Sequence, residues 1–358
     1  MLVHICCSVD SHFFLEKLQE DFPDEKLTGF FYDPNIHPYS EYKLRYLDVQ
    51  RSCKKLGIEL LEGEYDFEVW MDLVRGLENE PEKGARCEVC FDRRFEVSAL
   101  KALELGEKKI TTTLLVSPLK SQEQLKRVGD LFYEKNGVEF VAVDYRAKGG
   151  SQDQSRVTKQ EKLYRQDYCG CMFGLTMQRE QQDQLLDELF SPIDARILPA
   201  SIEERLKMYE LRVDLEEEGV AYDIVKERFL NYRLFNASLT VDKKFVWAHL
   251  LPYSMLAKKR AQGRIEKEIN GLHYLNRDEV LFMTLDRYNE KMKTSYKNVQ
   301  ELVFNAPDFD KELKLRYDLL GSFNLSPIVI IDQLFEGKAI LDLDAKTYED
   351  KREKLIQF

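Results

Sequence analysis

The chain has 358 residues, enough for two domains and a large core. Charged residues make up 33% and hydrophobic residues 44% of it, and no apolar run approaches the length of a membrane span, which excludes an integral helical membrane protein. The formal charge of −11 speaks against a general nucleic-acid binder, although residues 226–277 hold eleven Lys and Arg against four Asp and Glu.

In chain order, residues 2–6 form a short apolar run that predicts a strand, and an amphipathic stretch over 13–18 follows. Residues 27–32 predict a second strand that ends in the turn-rich Asp33-Pro34-Asn35-Ile36-His37-Pro38. Residues 41–56 carry helical periodicity and stop at Gly57, a good residue for leaving a helix. A third strand is expected over 58–61, helices over 66–77 and 87–105, a strand over 109–116, a helix over 122–135 and a strand over 138–143. This alternation implies an α/β fold with a doubly wound, mostly parallel sheet, whose ligand site lies beyond the carboxyl ends of the strands. Cys6-Cys7, residues 35–38 and Ser117-Pro118 each follow a strand and should meet in one crevice. After about residue 178 the pattern changes to long charged stretches, with helices expected over 202–218 and 253–269 and strands over 327–332 and 339–343. We expect a catalytic domain over 1–180 and a helix-rich C-terminal region over 181–358, with a soft boundary in 178–197.

Six of the seven cysteines fall in three tight pairs: Cys6-Cys7, Cys87-x-x-Cys90 and Cys169-x-Cys171. Such spacing presents two thiolates to one centre, and Asp10 could add an oxygen ligand. The N-terminal residues lack the basic region and cleavage site of a signal peptide, so a cytoplasmic location is expected, where thiols stay reduced. That disfavours structural disulfides and favours metal. One zinc ion would leave three of seven donors unused, whereas a four-cysteine cluster leaves enough for a second metal. Zinc and a redox-active thiol pair remain alternatives. Cys53 stands alone in a helical pattern and reads as core.

Other residues are weighed against blander roles. Cys6-Cys7-Ser8-Val9-Asp10-Ser11 occupies the place of a pyrophosphate loop but has no glycine, which argues against ATP use. Tyr164, Arg165 and Tyr168 beside Cys169 could stack on a base, donate a proton or simply shield a cluster. His37 could be a proton donor or a turn residue satisfied by backbone; His4 reads as core. Arg86, Arg93 and Arg94 could bind phosphate or offset thiolate charge. The basic, aromatic stretch that includes Arg228, Phe229, Tyr232, Arg233, Lys243, Lys244, Trp247, Lys258, Lys259, Arg260 and Arg264 could face RNA or form a solvated surface.

Over about residues 1–180 these motifs together resemble the epoxyqueuosine reductase (QueH) family. The likeness rests on His4-Ile5-Cys6-Cys7 with Asp10, on Asp33 to Pro38, on Arg86-Cys87-x-x-Cys90 with Arg93, on Leu115-Val116-Ser117-Pro118 and on Leu163-Tyr164-Arg165-Gln166-x-Tyr168-Cys169-Gly170-Cys171. The fold implied is that of the adenine nucleotide α-hydrolases (HUP class). The activity implied is reductive removal of the epoxide oxygen of epoxyqueuosine at the wobble position of tRNAs with GUN anticodons, the Tyr, His, Asn and Asp acceptors. The resemblance implies a [4Fe-4S] cluster and one additional metal ion, iron, or zinc in the protein as isolated. We assign Cys6, Cys87, Cys90 and Cys171 to the cluster and Cys7, Asp10 and Cys169 to the single metal. Asp10, Tyr164, Tyr168 and His37 are then the catalytic candidates, and Arg93, Arg165, Lys258, Lys259 and Arg260 the RNA-binding ones. An external electron donor such as a ferredoxin or a reductase is implied, and no membrane partner. The second half reads as an extension that the family does not require. The rival readings are an iron–sulfur tRNA thiolase of the pyrophosphate-loop type and a non-enzymatic, zinc-stabilised RNA-binding protein.

Overall fold

The computed structural model describes residues 1–117, 122–275 and 279–358. Pro118 and Arg277, which entered the sequence reading, lie outside these residues. Two compact units divide the chain. Met1–Leu189, Arg205–Ile224 and Leu355–Phe358 form the first, and Phe190–Glu204 with Val225–Lys354 the second.

The first unit runs β1 (Leu2–Ile5), α1 (Ser8–Asp21), β2 (Thr28–Phe31), α2 (Tyr39–Leu56), β3 (Glu59–Glu62), α3 (Phe67–Leu73), α4 (Ala85–Glu104), β4 (Lys109–Thr112), α5 (Gln122–Asn136), β5 (Glu139–Phe140), α6 (Gly150–Gln160) and α7 (Met172–Gln181), with α8 (Ile202–Glu218) following. The sheet order is β3-β2-β1-β4-β5, and every pairing is parallel. β1 and β2 are buried along their whole length, as strands covered on both faces must be. His4 sits inside β1, with Nδ1 2.8 Å from Thr112 Oγ1 and Nε2 3.1 Å from the Tyr32 carbonyl. Burial, reinforced by Arg94, lowers its pKa to about 3, so it is a neutral core residue. Gly57 leaves α2 at φ +67, the left-handed cap its position suggested. α6 was not foreseen, because its Gly-Ser-Gln-Asp start has no apolar stripe.

The order of strands reverses direction at β1, which places the topological switch between β1 and β4. Cys6-Cys7 leaves β1 at that point. A 3₁₀ turn over Thr113–Leu115 and then Ser117 leave β4 there.

The second unit contains β6 (Tyr222–Val241), β7 (Lys244–Val246), β8 (His249–Leu250), β9 (Arg260–Gly263), β10 (Ile265–Ile269), β11 (Leu272–Leu275), β12 (Leu281–Thr284), α9 (Leu285–Met292), α10 (Val299–Phe304), α11 (Phe309–Leu320), β13 (Ile328–Ile331) and β14 (Ala339–Gln357). The strands form two sheets, β10-β11-β12-β13-β8 and β7-β6-β14-β9. Alternation along β13 explains the layering. Val329 and Ile331 join the core between the sheets, while Ile328 and Ile330 join the core shared with α9–α11.

The expectation of a helix-rich second half covers α8–α11 but leaves out most of β6–β14. The helix expected over 253–269 is replaced by β9 and β10. The period there is two rather than 3.6, and Asn270-Gly271, both at positive φ (56° and 75°), closes a hairpin between β10 and β11. The division at residue 180 is also not a single cut, because Arg205–Ile224, which holds all of α8 beyond its first turn, and Leu355–Phe358 belong to the first unit. Arg51 donates from Nε and Nη2 to Glu216 at 2.7 and 2.8 Å, Tyr222 also donates to Glu216, and Arg212 reaches Asp48 at 3.4 Å.

Burial works against the charge on Glu216, but Arg51, Tyr222 and Arg212 prevail and hold its pKa at about 2. A depressed carboxylate contributes stability above its unfolded pKa of about 4.3 and loses it as pH falls toward 2. Glu216→Gln should therefore lower unfolding stability at pH 7 by about 1–3 kcal/mol, with the difference from the parent protein shrinking below pH 4 in denaturant titrations. A difference that does not change with pH would refute this account.

Candidate metal centre

Three separate elements bring the paired cysteines together. Cys6 and Cys7 lie in the turn from β1 into α1, and Asp10 is in the first turn of that helix. Cys87 and Cys90 occupy the first turns of α4, and Cys169-Gly170-Cys171 leads into α7. Cys6, Asp10, Cys87, Cys90, Cys169 and Cys171 line one cavity of about 400 Å³ at the switch point. The Cys7 sulfur lies 3.8 Å from that of Cys6, and the Cys6 sulfur lies 3.9 Å from Asp10 Oδ2. The donor atoms of Cys6, Cys7 and Asp10 all fall within 4.8 Å of one another. Cys53 is buried in the same apolar core as Cys6 and Cys7 but is not among the residues that line the cavity, and burial raises its pKa to about 12.

The donor set fits soft, thiolate-bound metal with one harder oxygen ligand. The hydrogen bond to Cys6, burial and the Asp10 charge push the Cys7 thiol up; the hydrogen bond to Cys169 and burial push up Cys171. Crowded, buried donors of like charge ionise only when a cation lies among them.

The third pair is held by a buried guanidinium. Arg45, on α2, donates from Nε to Glu41 Oε1 at 2.7 Å, from Nη1 to the Cys169 carbonyl at 3.2 Å and from Nη2 to the Tyr168 carbonyl at 3.0 Å. Glu41 also accepts from the Tyr164 hydroxyl at 2.8 Å, and Asp48 accepts from the Tyr164 amide at 2.7 Å while receiving Ser8 from the start of α1. Two buried carboxylates on α2 thus tie the Tyr164–Cys171 segment down, and one of them also ties the start of α1. Gly170 sits at φ +106, and its carbonyl accepts from the His37 amide at 2.9 Å. A Cβ there would stand 2.8 Å from Ile36 and 3.3 Å from Arg45.

The remaining candidates separate. Tyr168 and Arg165 line the cavity, Arg165 as an exposed residue. The Tyr168 hydroxyl donates to the His37 carbonyl at 2.7 Å. Tyr164 is not among the lining residues, and its hydroxyl lies between Glu41 and Arg205. His37 stacks on Phe67 with ring centroids 4.9 Å apart, and burial lowers its pKa. Arg93 bonds Asp66 at 2.9 Å and the Tyr32 hydroxyl at 3.1 Å. Arg86 donates to the carbonyls of Leu77, Glu78 and Glu80, and Arg94 bonds Asp33; both line the cavity and are buried. In the second unit Lys259 pairs with Asp344 and Arg260 with Asp342, while Lys258 is exposed.

Arg45 and the side chain of Asn35 escaped the sequence reading. A Glu41-x-x-x-Arg45 pair on one helical face was the available signal for the first. Asn35 is buried, lines the cavity, and its Oδ1 has no hydrogen-bond partner among the described residues. Such an atom is satisfied by water or by a ligand.

Gly170→Ala should destabilise the first unit by about 1–3 kcal/mol and reduce the metal retained after anaerobic reconstitution, whereas Cys53→Ala should retain as much metal as the parent. Metal analysis beside thermal unfolding distinguishes the two. Full metal content in a folded Gly170→Ala protein would show that the geometry of this turn does not matter for loading.

Comparison with known proteins places this geometry in a lineage. The family model described as epoxyqueuosine reductase QueH matches residues 1–177. The epoxyqueuosine reductase QueH of Helicobacter pylori is 40% identical over 370 residues, covering 98% of this chain and 99% of that one. Those of Histophilus somni and Haemophilus influenzae are each 38% identical over 176 residues, covering 49% of this chain and 72% and 71% of theirs. The second half, read from sequence as a departure from the family, is therefore shared at full length with the Helicobacter protein. By the cysteine pairs, the matched residues and the full-length relative, this chain belongs to the epoxyqueuosine reductase QueH family.

Proposed function

We propose that this chain reduces epoxyqueuosine to queuosine at the wobble position of tRNAs with GUN anticodons (Tyr, His, Asn and Asp acceptors), in the cytoplasm. The observation that carries the reading is the convergence of three cysteine pairs and Asp10 at the switch point of a chain of this family. The reaction consumes two electrons and two protons, converts the epoxide to an alkene and releases water.

Cys6, Cys87, Cys90 and Cys171 would hold a [4Fe-4S] cluster, and Cys7, Asp10 and Cys169 one further metal, iron in the active form. Bound there, these centres supply single electrons and a Lewis-acidic site for the epoxide oxygen. The 3.8 Å between the sulfurs of Cys6 and Cys7 supports contiguous centres. An external ferredoxin or reductase provides the electrons.

The chain's own side chains do the rest. Asn35 Oδ1 accepts a hydrogen bond from the modified base or its ring substituent. Arg165, exposed at the cavity, neutralises a neighbouring phosphate. Tyr168, which lines the cavity, and His37, whose main-chain carbonyl accepts the Tyr168 hydroxyl, are the two candidate proton donors. Tyr164, with its hydroxyl enclosed by Glu41 and Arg205, is assigned a positioning role. Arg86 and Arg94 offset thiolate charge.

Two measurements test the reading. Anaerobically reconstituted protein should hold about four or more irons per chain with the broad absorbance of a cluster. Zinc alone would favour a zinc-stabilised RNA-binding protein, and ATP-dependent sulfur transfer to tRNA a thiolase. Nucleoside mass spectrometry of tRNA treated with the reduced enzyme should show epoxyqueuosine replaced by queuosine. Asp10→Ala should keep the cluster's iron, lose about one metal equivalent and abolish turnover; normal turnover would remove Asp10 from the site.

A further inference from the structure

The second unit contains its own cavity, about 480 Å³, walled by Phe190, Tyr232, Phe245 and Trp247, with Arg196 and His249 among its polar lining residues. Its polar groups are organised by one fully buried carboxylate. Glu312 accepts from Tyr288 at 2.6 Å, faces His249 Nε2 at 2.8 Å and receives Arg196. Burial disfavours the Glu312 charge, but His249 and Arg196 outweigh it and keep the carboxylate ionised. His249 meets Glu312 through Nε2, and no described residue bonds its Nδ1. An apolar cavity with a few fixed polar groups is the form of a ligand site rather than of an unfilled core.

The rings at this cavity are unusually bare. Phe245 is 62% exposed, Trp247 37% and Phe235 40%, and Phe245 lies edge-on to Trp247 with centroids 5.5 Å apart. The basic, aromatic stretch of the sequence resolves here. The structure commits Arg228 to Glu349, Phe229 to Arg352, Tyr232 to the Ser254 carbonyl, Arg233 to backbone carbonyls, Lys259 and Arg260 to aspartates, and Arg264 to the Glu336 carbonyl. Lys243 and Lys244, at the turn between β6 and β7, have no ion-pair partner among the described residues, and Phe245 follows them directly. Lys338 is exposed and its amide bonds Asp242 in the same turn.

We infer that this cavity is a second RNA site, which takes an unstacked nucleobase of the substrate tRNA between aromatic rings, with His249 on its hydrogen-bonding edge and the flanking phosphates on Lys243, Lys244 and Lys338. The inference rests on the reading that the substrate is tRNA. It is favoured over a protein-docking face by the pairing of bare rings with free ammonium groups, the combination that single-stranded nucleic acid requires. The cavity acts in affinity and not in the redox step.

The test uses full-length, iron-loaded enzyme and a fluorescently labelled anticodon stem–loop with a GUN anticodon. Trp247→Ala and Phe245→Ala, both at the surface, should weaken binding by roughly 5- to 100-fold with iron content and thermal unfolding unchanged. Lys243→Gln with Lys244→Gln should flatten the dependence of log Kd on log salt by about one to two units. His249→Ala should weaken binding of the stem–loop while leaving cluster absorbance intact. Unchanged affinity in the Trp247 and Phe245 variants overturns the site. So does a result in which those variants bind RNA normally but accept electrons more slowly, which would make the face a docking surface for the donor protein. Wild-type enzyme that reduces epoxyqueuosine in tRNA while the variants bind normally sinks this inference alone. Wild-type enzyme that neither binds nor reduces tRNA sinks the functional reading with it.

Discussion

The Arg45 guanidinium is the interaction on which the cysteine site depends. It is buried on α2, takes Glu41 as its counter-ion and spends its remaining donors on the carbonyls of Tyr168 and Cys169. Those carbonyls belong to the segment that carries the third cysteine pair, so the guanidinium fixes the backbone at Cys169 itself, beside the apolar packing of Tyr164, Tyr168 and Cys171. A lysine could not replace it, because the site needs donors in a planar fork. Glu41 extends the same device to Tyr164, and Asp48, two turns further along α2, extends it to Ser8 at the head of α1. One helix face thereby connects the first and third cysteine pairs.

The sheet supplies the rest of the convergence. A parallel order of β3-β2-β1-β4-β5 opens a crevice beside the carboxyl end of β1, and the turn into α1 delivers Cys6, Cys7 and Asp10 there. In doubly wound sheets that bind nucleotides such a turn carries glycines and anion-binding amides. Here thiols and a carboxylate occupy it, so the same position attracts cations. The second unit solves a different problem: two sheets and three helices around a carboxylate that organises a cavity of its own.

Much of this was legible in the sequence, for identifiable reasons. The cysteine pairs, Asp10 and the left-handed stop at Gly57 are local signals, each readable within a few residues. The alternation of apolar runs and amphipathic stretches in the first 140 residues was strong enough to give the parallel sheet. Residues 253–269 failed because charged Lys, Arg and Glu were read as a solvated helix. Their period of two and the Asn270-Gly271 turn carried the stronger message. Arg45 and Asn35 escaped for a different reason: the Glu41–Arg45 spacing marked a pair on one helical face, but the contacts that give Arg45 its role lie more than a hundred residues away, and the unpartnered Oδ1 of Asn35 leaves no local pattern. The basic stretch over 228–264 was legible as composition only, since most of its charges are spent on the neighbouring strand or on backbone carbonyls.

The distance along the chain between Cys6 and Cys171 has a consequence for biogenesis. Cys6 and Cys171 stand near opposite ends of the first unit's main segment, Met1–Leu189, with Cys87 and Cys90 between them on α4. A translation product that stops short of Cys171 cannot offer the complete set of paired thiols. The shared cavity of the three pairs is thus assembled only after that whole segment has been made and folded.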